Sequence, residues 1–187
     1  ASMPMAVAIP VVLIMTVALG LLIERAAYKP LRSAPRMSVM ISAIGVSYLL
    51  QNLATYITGG LARPYPEIPF LKGTFMLGAL KIKIITVVTP LLTILLVIAL
   101  VLFINHTKTG MAMRAVSRDF DTARLMGIKV NNIISVTFII GSFLAGVGSI
   151  LYFSNYGQVS PTIGAMPGLK AFVAAVFGGI GSIPGAV

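Results

Sequence analysis

The chain has 187 residues, 58% of them hydrophobic and only 10% charged, and its 14 Lys and Arg against 4 Asp and Glu give a net charge of +10. A water-soluble domain carries roughly a quarter charged residues, so this composition reads with the bilayer as its solvent. The basic residues fall between apolar runs rather than along one face, which argues against nucleic acid as a partner, and the lack of cysteine excludes a disulfide framework or a thiolate metal site.

A membrane-crossing helix needs about twenty apolar residues. The first residues, "ASMPMAVAIPVV", have neither an initiator Met nor a basic leader region, so they do not read as a signal peptide. The first expected span is 5–23. A connector, 24–37, follows it and leads to a second span at 37–58. On that second helix Ser47, Gln51 and Thr55 lie on one face, with Asn52 beside them and Ser42 and Gly45 nearby. Polar groups in lipid serve either interhelical hydrogen bonds or a wet translocation path, and both readings stay open.

The next connector, 59–83, carries Pro64, Pro66 and Pro69 and then the alternating "LKIKI", which predicts a stiffened loop and a short strand or hairpin. The third span is 84–104, with Pro90 in its first turns, where a missing N–H is best tolerated. After the connector 105–131 comes a fourth span, 132–153. There Gly141, Ala145 and Ser149 recur every four residues, with Ser142 and Gly146 on the adjacent row, a spacing that lets helix backbones approach closely.

A fifth span, 169–187, is interrupted by "GGIGSIPG". Gly178, Gly179 and Gly181 make either a tight packing corner or part of a path lining, because irregular backbone at membrane depth needs protein or a cavity around it. The chain opens and stops inside apolar runs, as a piece of a longer membrane protein would. The expected architecture is all-α, a polytopic transmembrane helix bundle forming one partial domain over 1–187.

Alternation puts connectors 24–37 and 105–131 on one side, where they hold nine basic residues, against four in 59–83 and 154–168. The two sets are nearly equal in length. The positive-inside bias therefore assigns 24–37 and 105–131 to the cytoplasm.

Catalysis finds few residues to use. His106 is the only histidine and has no second His, Cys or nearby carboxylate, so a metal site lacks ligands and a triad lacks its orienting acid. The glycine-rich end has no following Lys-Ser/Thr and fails the phosphate-loop pattern. No acidic residue falls within an expected span, which argues against a proton pump or an intramembrane aspartyl protease. Neither a metal nor a cofactor is expected.

The stretch "SRDFDTARLMG", 117–127, stands apart because it gathers two of the four acids, Asp119 and Asp121, with Arg118 and Arg124. It reads as a short helix with Asp119 as N-cap, Asp121 in the positively biased first turn, and Gly127 in the left-handed position past the end. Phe120, Ala123, Leu125 and Met126 supply apolar patches. About eight residues are too few for a helix stable alone in water, so it must pack on its own bundle or on a partner.

"DTARLMG" resembles the E-A-A-x-x-x-G pattern in the cytoplasmic loop of ABC importer permeases. Asp121 stands for the Glu, Thr122 for the first Ala, Ala123 for the second, and Gly127 for the Gly; Asp for Glu and Thr for Ala are departures. "ERAAYKPLRSAPRMSVMISAIGVSYLLQN" and "GLKAFVAAVFGGIGSIPGA" are similar to segments of permeases for branched-chain amino acids, and the likeness covers essentially the whole chain.

The resemblance implies the first of two homologous permease subunits, working with the second, with two ATP-binding subunits docked on 119–127, and with a periplasmic or extracellular binding protein that delivers the amino acid. It places the chain in the cell's inner membrane, in contact with lipid. ATP hydrolysis would then reside in the partners, with Asp119, Asp121, Thr122, Ala123, Arg124 and Gly127 as the coupling residues. Alternatives are a related permease for urea, amides or another small polar solute, a non-transporting structural membrane protein, or a membrane enzyme whose catalytic residues lie elsewhere.

Overall fold

In the computed structural model the described residues are 5–31, 36–66, 73–77 and 80–178. In chain order, α1 is Met5–Ile23, continued by a π-helical turn Glu24–Tyr28, and α2 is Arg36–Thr58. Three short strands follow, β1 Arg63–Pro64, β2 Thr74–Leu77 and β3 Leu80–Lys83. Next come α3 Ile84–His106, α4 Lys108–Arg118, α5 Phe120–Leu125 and α6 Val130–Tyr156. The last elements are β4 Gln158–Val159 and α7 Ala165–Phe177. Among the described residues, four helices are long and apolar enough to cross a membrane: Val7–Tyr28, Ser38–Thr58, Ile84–His106 and Val130–Tyr156.

The first of these outlasts its apolar run. Hydropathy falls at Glu24, but "ERAAY" contains no helix breaker, and the helical backbone runs on to Lys29, at φ −59° and ψ −42°. The backbone instead loosens by one residue, with the Lys29 N–H donating to the Glu24 carbonyl at 2.8 Å. The expectation of spans free of acid is thereby corrected, because Glu24 lies in the last turns of the first span and is only 4% exposed.

The chain divides into two compact units, 1–74 with 138–164, and 75–137 with 165–187. In the first, α1 packs against α6 through small residues. A Cβ added at Gly146 would come 2.9 Å from Leu13 Cδ2, and one at Gly20 would run into the Ser142 side chain. The row that packs is therefore Ser142 and Gly146. Gly141 and Ala145, on the row given priority from spacing alone, are exposed. Further along, the Tyr28 ring lies 5.1 Å from that of Phe138.

At the other end of this unit β1 pairs antiparallel with β4, Arg63 opposite Val159 and Pro64 opposite Gln158. The Tyr65 N–H donates to the Gly157 carbonyl at 2.9 Å, and the Tyr65 and Phe153 rings lie 6.1 Å apart. Tyr152 stacks on Tyr156 at 4.4 Å.

β2 and β3 pair as a two-stranded sheet; the alternation of "LKIKI" accounts for β3. In the second unit α3 contains Pro90 and runs on through His106. α4 then folds against its end, and α5 against α4. The core of this unit is small: Val116, Ala123 and Val130, with Ile128, Ile133 and Ile134 packed around them. α7 is thirteen residues long, too short to span alone, and it gives way to a turn at Gly178.

Candidate functional site

The segment from Thr107 to Val130 is built by caps. Thr107 stops α3 and starts α4: its hydroxyl donates to the Phe103 carbonyl at 2.7 Å and accepts from the Gly110 N–H at 3.0 Å. Gly110 is buried against the end of α3, where any Cβ would meet the Ile104 backbone itself, its carbonyl carbon at 2.6 Å. Arg114 reaches back to donate to Asn105 Oδ1 at 3.2 Å.

Asp119 ends α4 and caps α5 in one extended residue, φ −153° and ψ 119°. Its carboxylate accepts from the Asp121 N–H at 2.9 Å and from the Thr122 hydroxyl. The Thr122 hydroxyl first, then the N–H groups of Asp121 and Thr122, hold the Asp119 carboxyl below its usual value. Asp121 sits in the first turn, where a negative charge suits the helix dipole.

The other end closes as a Schellman motif. The Gly127 N–H donates to the Arg124 carbonyl at 3.0 Å, and the Ile128 N–H to the Ala123 carbonyl at 3.1 Å. Gly127 has φ +79°, which only glycine adopts freely, and Ile128 turns back onto the core beside Ala123. A six-residue helix is thus held by a cap at each end and by one inward residue. That residue is Ala123, 3% exposed.

Ala123 faces the core of its own unit. Its side chain is enclosed by α4, α6 and the turn, so the apolar surface that α5 presents is made by others: Leu125 at 88% exposed, Met126 at 78% and Phe120 at 43%. Thr122 is exposed and engaged in the cap, and Arg124 is exposed. The structure brings Asp119, Asp121, Thr122, Ala123, Arg124 and Gly127 into one capped helix.

The other expected residues do not gather. On α2 each polar group bonds along its own helix: Gln51 Nε2 donates to Ser47 Oγ at 3.0 Å, Asn52 Nδ2 to the Tyr48 carbonyl at 2.8 Å, and Thr55 Oγ1 to the Gln51 carbonyl at 2.7 Å. Each of these bonds stays within α2 and joins no second helix. Gly178 donates to the Ala174 carbonyl at 2.8 Å as α7 ends. Gly179 and Gly181 lie outside the described residues. Among the described residues no group of three or more His, Cys, Asp or Glu is placed to hold a metal ion.

Sequence reasoning passed over α4, and with it Val116, Val130 and Ile128, the residues that seat Ala123. The signal was present: Thr107 as a cap, then eleven residues without proline and without an acid, up to the next cap at Asp119.

A family model described as the permease component of branched-chain amino acid transport systems matches residues 1–187. Among curated proteins, the chain is 42% identical over 180 residues to the high-affinity branched-chain amino acid transport system permease protein BraD of Pseudomonas aeruginosa, covering 94% of this chain and 58% of that protein. It is 39% identical over 180 residues to the corresponding protein LivH of Salmonella typhimurium, with the same coverage. With LivH of Escherichia coli the identity is 40% over 175 residues, 91% of this chain and 56% of that protein. The chain therefore spans less than three fifths of the length of these relatives. No solved structure matches it.

Proposed function

The chain belongs to the family of permease components of branched-chain amino acid transport systems, and from that premise we propose that it is the membrane-spanning part of an ATP-driven importer for leucine, isoleucine and valine. It is a multi-pass membrane protein. It acts in the inner membrane with 24–37 and 105–131 in the cytoplasm, beside a second, homologous permease subunit. Two separate subunits bind and hydrolyse ATP, and a periplasmic or extracellular binding protein delivers the amino acid.

The observation that carries the coupling role is the exposed Leu125 and Met126 on a helix rigidly capped and anchored at Ala123. Large apolar side chains on a charged loop outside the lipid favour a protein partner. When the ATP-hydrolysing subunits close, they push on Leu125, Met126 and the Asp121 turn. Because Ala123 shares a core with Val116 and Val130, that push reaches the first turn of α6 and, through α4 and the Gly110 contact, the last turn of α3. The bundle then switches its opening from one face to the other. We assign Ser47, Gln51, Asn52 and Thr55 to the path, because a polar stripe already bonded within its helix can present its remaining lone pairs to a solute.

Two measurements test this reading together. A cysteine at Thr107 is expected to react with impermeant reagent only from the cytoplasm, and one at Gln158 only from outside. Leu125→Ser with Met126→Ser is expected to reduce co-purification of the ATP-hydrolysing subunits at matched permease levels. Unchanged co-purification removes α5 as the docking element.

A further inference from the structure

We propose that one face of α4, formed by Lys108, Met111, Arg114 and Arg118, seats anionic phospholipid headgroups of the cytoplasmic leaflet, an inference that rests on the orientation proposed above. α4 is two-sided. Val116 is buried and Thr109, Ala112 and Met113 are half-buried, while Lys108, Met111, Arg114, Ala115 and Arg118 are exposed on the opposite side. The helix holds no acid, so the three cations on this face are uncompensated within it.

A charged face on a short helix is ordinarily just solvated. Here the position of the helix points further. α3 is a membrane span that ends at His106, and a single residue, Thr107, separates it from α4. α4 does not project away. Gly110 lies against the Ile104 backbone, and Arg114, in the second turn, donates to Asn105 in the last turn of α3. The guanidinium is therefore held at the level where the span leaves the hydrocarbon. With 1.5 Å rise per residue, the eleven residues of α4 extend no more than about 16 Å from that level.

Met111, 52% exposed, sits between the cations on the same face. An apolar residue flanked by Lys and Arg at the bilayer boundary is the pattern of an interfacial helix: the thioether enters the headgroup–acyl boundary and the cations meet phosphates. Each cation near an anionic surface strengthens attachment by about fivefold, and the attraction falls off within a Debye length. The chemistry fits phosphatidylglycerol or another acidic headgroup, and not a zwitterionic one.

The test places a nitroxide at Met111→Cys in the full-length permease, assembled with its partner subunits and otherwise free of cysteine, in vesicles of phosphatidylcholine with or without phosphatidylglycerol. The expected result is that the probe becomes shielded from an aqueous relaxation agent as phosphatidylglycerol rises. Salt should reverse that shielding, and Lys108→Gln with Arg118→Gln should abolish it while leaving the Arg114–Asn105 bond in place. Equal shielding in both vesicles, or none in either, overturns the proposal. Shielding that needs the ATP-hydrolysing subunits and ignores lipid charge also overturns it, and gives the face to a protein partner. Labelling of Thr107→Cys only from outside overturns the orientation, and with it the leaflet assigned here.

Discussion

Enlarging Ala123 is the most informative change in the coupling segment. The Ala123 methyl is 3% exposed and enclosed by Val116, Val130, Ile128, Ile133 and Ile134. Ala123→Leu adds three carbons to a site with no room for them, and overpacking of this kind costs about 1–3 kcal/mol. α5 has only six residues and no stability of its own, so the cost falls on its seating rather than on the membrane helices. The amides of Ala123, Met126, Gly127 and Ile128, whose hydrogen bonds close the helix and its C-terminal turn, should exchange about 5–150-fold faster with deuterium. Membrane insertion should be unchanged, and co-purification of ATP-hydrolysing subunits should fall because Leu125 and Met126 are no longer held in place. Exchange at 120–128 and co-purification both at wild-type levels would refute the inward role of Ala123.

Four further outcomes are expected. Asp119→Ala should speed exchange of the Asp121 and Thr122 amides, while Asp119→Asn should largely preserve protection. Because the folded-state pKa of Asp119 lies below its ordinary value, the cap's contribution is complete above the ordinary aspartate range and is lost as pH falls through the depressed value; acid titration of α5 protection checks this. Gly127→Asn should be tolerated better than Gly127→Val, since φ is +79° and no atom lies within 4 Å of an added Cβ, so backbone strain of about 1–2 kcal/mol for an ordinary residue decides the order in a thermal-stability series. Gly110→Ala should open the α3–α4 corner, because the obstructing atoms are Ile104 backbone, and a change in Arg114–Asn105 proximity read by cross-linking at those positions would detect it.

Legibility from sequence followed the range of the forces involved. Asp119 and Gly127 were readable because a cap and a left-handed residue are local chemistry. β3 was readable from alternation over a few residues. The inward orientation of Ala123 was not, since a small residue on a short helix fits equally well against its own unit or a partner, and only Val116 and Val130 on neighbouring helices decide it. The same limit hid which row of α6 packs on α1: rows 141/145 and 142/146 are one residue apart, and Gly20 and Leu13 select between them. The pairing of Arg63–Pro64 with Gln158–Val159 joins residues nearly a hundred positions apart and leaves no local signal. The bounds of α1, Met5–Ile23, were readable from hydropathy, whereas its π-helical continuation Glu24–Tyr28 was not, because hydropathy marks where apolar side chains stop and not where the backbone leaves the helix.

The central claim is that α5 converts ATP hydrolysis by partner subunits into amino-acid movement through this bundle. It is tested most directly by ATP-dependent uptake of radiolabelled leucine into proteoliposomes holding the full-length permease pair, the ATP-hydrolysing subunits and the binding protein, with wild type beside Leu125→Ser/Met126→Ser. Burying each exposed side chain on docking is worth about 1.5–3 kcal/mol, so losing both should weaken docking by roughly a hundredfold or more. The account predicts saturable leucine uptake by wild type and near-background uptake by the variant at equal permease content. Wild-type assemblies that hydrolyse ATP without moving leucine, or a variant that transports as well as wild type, would contradict it.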